Sequence, residues 1–355
     1  MDKRWLQLGH MLVNKAVGVK HGERVMISMS EIESFDLARS VYEAVIKAGG
    51  FPQIQFLSEK LKHSLLKYGN EEQISWVPEL ESFGMDWADV YIGLRGAYNF
   101  GELSDITTER AVKQQTAMGI ISSKRWEKTR WTLIRIPTEA FAVQAKVDFD
   151  TVLDMFFNAC FVDFESERVK WTKFSQRLEK GKHVRIIADK TDLSFSVEGM
   201  KWVPALGGSN IPDGEIATAP RIETIDGYIY FENPGVLGGR LIPDISLRWE
   251  KGKLVSATSS SNQEFLTSIV NTPGANTIGE FALGINKEMN RFCNDILFDE
   301  KIYGTIHIAL GRAYPMCNGT NQSSIHWDIV KDTRLPGSRV YLDEEIILEE
   351  GEYIL

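Results

Sequence analysis

Apolar and polar positions change their period partway along the chain. Up to about residue 160, short apolar runs alternate with helical spacing. Val25-Met26-Ile27 follows the turn at His21-Gly22 and reads as a strand, and the next segment carries Leu37, Val41, Ala44, Val45 and Ala48 at helical intervals. Ser34 is placed to cap that helix, and Gly49-Gly50 to end it. FPQIQFL is a second strand, and DWADVYIGL, after another helical region, is a third. This strand–helix–strand rhythm predicts a parallel sheet flanked by helices. No GxGxxG follows any of these strands, so a dinucleotide site is not supported.

Near Phe164 the pattern shifts. A charged helical stretch, ESERVKWTKFSQRLEKG, leads into KHVRIIA, DLSFSVEG, GYIYFEN, ISLRWEKG and KLVSATSS, short alternating runs separated by Gly, Pro and Asp turns. Such runs predict antiparallel β structure. The 355 residues suit two domains at about 100–200 residues each. The expected fold class is an α/β N-terminal domain over 1–165 and an α+β, β-rich C-terminal domain over 166–355.

Composition narrows the function classes. With 43% hydrophobic and 25% charged residues the chain is that of a folded globular protein. Its net charge of −9 argues against a non-specific grip on nucleic acid or anionic lipid. Cys160, Cys293 and Cys317 are odd in number and form no CxxC pair, which fits a reducing compartment, with the cytoplasm as the default. MDKRWLQLGHML is no secretion leader, and no run approaches the ~18 apolar residues of a membrane span.

The candidate chemistry lies in the second half. His10, His21, His63 and His183 are scattered and read as surface or structural residues. In GTIHIAL, a strand period of two sets Ile306, Ile308 and Leu310 on one face and Thr305, His307 and Ala309 on the other. In SSIHWDI it sets Ile325, Trp327 and Ile329 opposite Ser324, His326 and Asp328. An imidazole and a carboxylate two residues apart on a strand point the same way and can reach one cation. Three glutamates sit in nearby segments: Glu215 in the turn-rich NIPDGEIATAP, Glu280 in GEFAL, where apolar neighbours draw it toward the interior, and Glu300 at the end of ILFDE. A glutamate drawn inward needs a counter-charge. Cys317, between the two histidine strands, reads as a bystander. Two imidazoles and four carboxylates, with no thiolate, suit Zn, Co or Mn, and four carboxylates balance two divalent ions. The sharp expectation is a dinuclear hydrolytic centre, in which ions ~3.5–4 Å apart share a carboxylate and a water.

These blocks, NIPDGEIATAP, GEFAL, ILFDEKIYGTIHIALGRAYP and SSIHWDI, with weaker likeness in RWTLIRIPTEAFA and DKTDLSFSVEG, resemble the metallo-aminopeptidases of the aminopeptidase T and aminopeptidase S type. The resemblance implies two divalent metals bound by Glu215, Glu280, Glu300, His307, His326 and Asp328, with Tyr314 as a hydrogen-bond donor to the transition state; among the glutamates, Glu280 is the first choice as the bridging proton acceptor. It also implies a homodimer whose cavity admits short peptides with a free N-terminus. Two other classes stay open: a mononuclear non-haem iron ring-cleaving dioxygenase or non-peptide amide hydrolase on the same fold, and a non-catalytic, metal-stabilised interaction protein.

Overall fold

The computed structural model describes residues 2–96, 99 and 101–355. Four strands in the first part of the chain, β1 (Arg24–Ser30), β2 (Phe51–Leu57), β3 (Val90–Arg95) and β4 (Arg130–Arg135), lie parallel in the order β2-β1-β3-β4. Parallel strands covered on both faces read as continuous apolar runs, and Val25, Ile27, Val90, Ile92, Leu94 and Ile134 are fully buried. The helix Phe35–Lys47 buries Leu37, Val41, Ala44 and Val45, as the spacing requires, while Ala48 lies just past its end. Ser34 does not cap it. The Ser34 hydroxyl donates to the carbonyl of Ser30, and its backbone is already helical, so the side chain cannot reach the first free N–H groups.

The second part of the chain holds β5 (His183–Ala188), β6 (Thr191–Ser196) and β7 (Val203–Ala205). The short β8 (Asn210–Ile211) then pairs in parallel with β4. Accordingly the chain divides into two compact units, one of Met1–Phe161 with Gly207–Pro212, the other of Val162–Leu206 with Asp213–Leu355. An insertion of six residues into the first unit's sheet is a tertiary event with no period of its own in the sequence.

The remaining strands belong to the second unit: β9 (Glu215–Thr218), β10 (Asp226–Tyr230), the hairpin β11 (Gly235–Leu237) and β12 (Arg240–Ile242), β13 (Ser246–Glu250), β14 (Lys253–Thr258), β15 (Ile278–Gly284), β16 (Ile306–Gly311), β17 (His326–Lys331), β18 (Arg339–Leu342), β19 (Glu345–Glu349) and β20 (Glu352–Tyr353). They form an eight-stranded antiparallel sheet, β14-β13-β10-β6-β5-β18-β19-β20, and a five-stranded one, β17-β16-β15-β9-β7. The architecture is therefore mixed, a parallel α/β part followed by a β-rich antiparallel part.

One apolar cluster takes side chains from both antiparallel sheets and from the helix Phe164–Leu178. Phe281 of β15 meets Phe195 of β6 edge-on at 5.3 Å and Trp202 at 5.9 Å. Ile306, Ile308 and Leu310 of β16 join that cluster, as do Trp327 and Ile329 of β17. Strand alternation then obliges Glu280, His307 and Asp328 to face the other way. That second face is where the chemistry-bearing residues gather. Among the described residues no helix is long and apolar enough to cross a membrane.

Candidate metal centre

Each acid or imidazole is aimed by its own local device. Glu215 opens β9 after the turn Asp213-Gly214. Gly214 has φ +126°, and a Cβ there would lie 2.8 Å from that of Asn286, so only glycine fits. Asn286 Nδ2 donates to the Asp213 carbonyl at 2.7 Å, and the N–H of Ile285 donates to that of Gly214 at 2.9 Å, which fixes where Glu215 starts. Glu280 sits at a bulge in the β15–β16 pairing, between Ile278 and Glu280. The residue skipped there, Gly279, passes so close to β16 that a Cβ would lie 2.2 Å from the Gly311 carbonyl oxygen. The bulge re-aims the acid toward the pocket. Glu300 ends the short helix Ile296–Asp299, whose first turn is capped by Asp295.

On the strands, His307 lies opposite Ala282 and Val330, Asp328 opposite Ala309, and His326 opposite Gly311. His307 and the glutamates 280 and 300 are buried, not water-facing; His326, Asp328 and Glu215 are half-buried. All six converge. Ligand atoms of Glu215, Glu300 and His307 lie within 4.8 Å of one another, and so do those of Glu280, His307 and Asp328. His326 Nε2 stands 3.1 Å from Glu280 and 3.5 Å from Asp328, and His307 Nε2 stands 3.5 Å from Glu215 and 3.9 Å from Asp328.

The tautomer of His326 tests whether a metal fits. Its Nδ1 lies 2.7 Å from the carbonyl of Arg312, and a carbonyl only accepts, so Nδ1 carries the proton. In a neutral ring the lone pair of Nε2 then points at two carboxylates, an arrangement that needs a cation between them. A backbone-anchored imidazole beside ionised oxygens is a usual metal-ligand pose. Without a metal, protons must do this work. Burial opposes a charged His326, yet Asp328 and Glu280 hold its pKa well above the ordinary value. Burial also pushes Glu280 up against the pull of His326, and lifts Glu300 well above the usual carboxylate range despite Lys301. Asp328 resists burial because His326, His307 and Lys301 keep it at about 2. Four carboxylates in one pocket suit divalent cations better than protons.

Two further groups complete the site. The ring of Tyr314 packs 4.7 Å from that of His326 at a tilt of 53°. Burial, then the charges of Glu280, Asp328, Glu300 and Glu215, keep its phenol protonated well past its ordinary range. Lys301 was not singled out from the sequence. Its side chain is 0% exposed, with Nζ 2.6 Å from Glu215 and 2.8 Å from Glu300. Directly following Glu300, it belongs to no motif or period that would single it out in the sequence. Cys317 is no ligand: its thiol donates toward the Ala217 carbonyl at 3.7 Å, and burial, then Glu280 and Glu215, push it up to about 12.

A mixed α/β protein with a nitrogen- and oxygen-lined metal pocket on an antiparallel sheet is thereby defined. The chain belongs to the thermophilic metalloprotease family M29, whose model matches residues 1–353, and as a metalloprotease it works with divalent metal. Aminopeptidase 2 of Geobacillus stearothermophilus is 23% identical over 381 residues, spanning 96% of this chain and 91% of that protein. The solved structure of wild-type AmpT from Thermus thermophilus shares the fold with a TM-score of 0.86 at 21% identity, over 99% of each chain. That of the 2,5-dihydroxypyridine dioxygenase from Pseudomonas putida KT2440 shares it more loosely, with a TM-score of 0.63 at 15% identity over 99% of this chain and 96% of that one.

Proposed function

We propose that this chain is a metallo-aminopeptidase that hydrolyses the N-terminal residue from short peptides. The chemistry belongs to the β-rich domain, 166–355, with two divalent ions (Zn, Co or Mn) held by Glu215, Glu280, Glu300, His307, His326 and Asp328. The observation that carries this reading is the pair of ligand clusters overlapping at His307 in one pocket. The aminopeptidase names of the full-length relatives support it.

Ions bound there would supply Lewis acidity and bring the pKa of a water toward about 7. The chain's own groups do the rest. Glu280, which burial makes a stronger base than an exposed glutamate, takes the proton released as the water oxygen bonds to the scissile carbonyl carbon, and passes it to the leaving amine. Tyr314, held protonated, donates its phenol hydrogen to the oxyanion. A free α-amine can offer its lone pair to a bound ion or an N–H to one of the carboxylates, which accounts for cleavage from the end.

The three cysteines are free and buried, which suits a reducing cytoplasm. The assembly is a homodimer. Support comes from β2, an edge strand with no charge along it and with Phe51 62%, Ile54 41% and Phe56 48% exposed. Such an edge invites another strand, and FPQIQFL centred on Ile54 would set Gln53 opposite Gln55 of an antiparallel second copy.

The test compares free and N-acetylated peptides by product mass, after metal analysis of protein purified without added metal. Loss of one N-terminal residue from free peptides alone is expected. Comparable cleavage of capped peptides, internal cuts, or oxygen uptake with iron as the bound metal would reject the aminopeptidase reading.

A further inference from the structure

Lys301 is a charged side chain that the chemistry above does not use. It is fully buried at the end of the short helix, and its backbone is pinned on both sides: its N–H donates to the Phe298 carbonyl at 3.1 Å, and its carbonyl accepts from Asn286 at 3.0 Å. Full burial and two carboxylate partners hold the ammonium in the pocket. It engages one oxygen of Glu215 at 2.6 Å and one of Glu300 at 2.8 Å, while the other Glu215 oxygen faces His307 Nε2 at 3.5 Å.

This placement divides the pocket unevenly. On one side, Glu215 and Glu300 share the ammonium of Lys301. On the other, Glu280 and Asp328 face His326, and among the described residues no lysine ammonium pairs with either carboxylate. A divalent ion among Glu215, Glu300 and His307 binds in direct opposition to the ammonium, in a low-dielectric site where like charges are poorly screened. An ion among Glu280, Asp328 and His326 displaces no ammonium paired with its carboxylates.

We propose that Lys301 is a positioning residue that makes the two metal positions unequal, so that the ion at Glu280, His326 and Asp328 binds first and tightly and the ion at Glu215, Glu300 and His307 second and loosely. This rests on the two-metal reading above. A fixed internal cation also explains how so acidic a pocket stays folded when only one ion is present: it stands beside the second position and offsets part of the charge that ion would neutralise.

The experiment titrates metal-free protein with Co²⁺, followed by visible absorption and calorimetry. Wild type is expected to show two resolved steps, with Glu280→Gln abolishing the tight one and Glu300→Gln the loose one. Changes one step removed from a ligand shift metal affinity by roughly 10–100-fold. On that scale Lys301→Met should tighten the loose step toward the tight one, while Lys301→Arg, which keeps the charge, preserves the gap. Two indistinguishable steps in wild type, or a loose step that weakens or stays unchanged in Lys301→Met, would overturn the proposal while leaving the two-metal reading intact. Should Lys301→Met fail to fold by circular dichroism, the glutamine variants decide alone, and loss of the loose step in Glu280→Gln rather than Glu300→Gln overturns it. A wild type that saturates at one ion per chain removes the two-metal reading itself.

Discussion

Replacing Tyr314 by phenylalanine separates chemistry from packing more cleanly than any other change in the pocket. The ring stays against His326, 4.7 Å between centroids, so the imidazole keeps its neighbour. Among the described residues the phenol oxygen has no hydrogen-bond partner within the chain, so its removal breaks no internal bond and the thermal midpoint should hardly move. Turnover is another matter. A phenol kept protonated by burial and by four carboxylates is an available donor at any working pH, and losing one donor to an oxyanion costs about 10²–10³ in kcat, or roughly 2.7–4 kcal/mol. The assay measures kcat and KM on an aminoacyl anilide, bound metal and thermal midpoint on a single preparation. The expected pattern is a large fall in kcat with metal content and midpoint unchanged. A fully metallated Tyr314→Phe enzyme with turnover within about twofold of wild type, against the expected 10²–10³, removes this residue from the mechanism.

Three other perturbations test the frame around the site. Gly279→Ala places a Cβ 2.2 Å from the Gly311 carbonyl, so β15 and β16 must part at the bulge that aims Glu280; a loss of about 1–3 kcal/mol and reduced metal content are expected, and an unchanged melting curve would show that the bulge is not required. Asp89 is held at about 2, below the ordinary 3.8, by hydrogen bonds from the Arg24 guanidinium and then its backbone N–H. Its depressed pKa means the stabilisation is complete above about pH 4, declines as the pH falls and is gone below about pH 2. With the two side chains 44% and 36% exposed, it amounts to about 0–1 kcal/mol, so urea midpoints of Asp89→Asn should trail wild type near neutral pH and converge with it in acid. Ile54→Lys charges the middle of the free β2 edge and should give a folded monomer by light scattering, whereas an unaltered dimer would move the interface elsewhere.

Much of this protein is legible from local pattern alone. The period of two in GTIHIAL and SSIHWDI places apolar residues in the core and His307, His326 and Asp328 on the opposite face, because strand geometry leaves no other choice. Gly214 and Gly279 each stand directly before one of the acids, and the structure shows why: the glycine backbone passes too close to a neighbour for a side chain. Helical spacing likewise picks out the buried stripe of Phe35–Lys47. What the chain could not disclose by itself is what depends on distant partners. Ser34 looks like a cap and instead bonds Ser30, and residues 207–212 join a sheet whose strand β4 lies far back along the chain, Asn210 pairing with Leu133, 77 positions earlier. Lys301 belongs to no motif, and only the tertiary fold seats it at 0% exposure between Glu215, 86 positions back along the chain, and its own neighbour Glu300. Periodicity reports which face a side chain takes; how many charges share one pocket is decided by strands that meet from far apart, and the burial that makes those charges matter exists only once they have met.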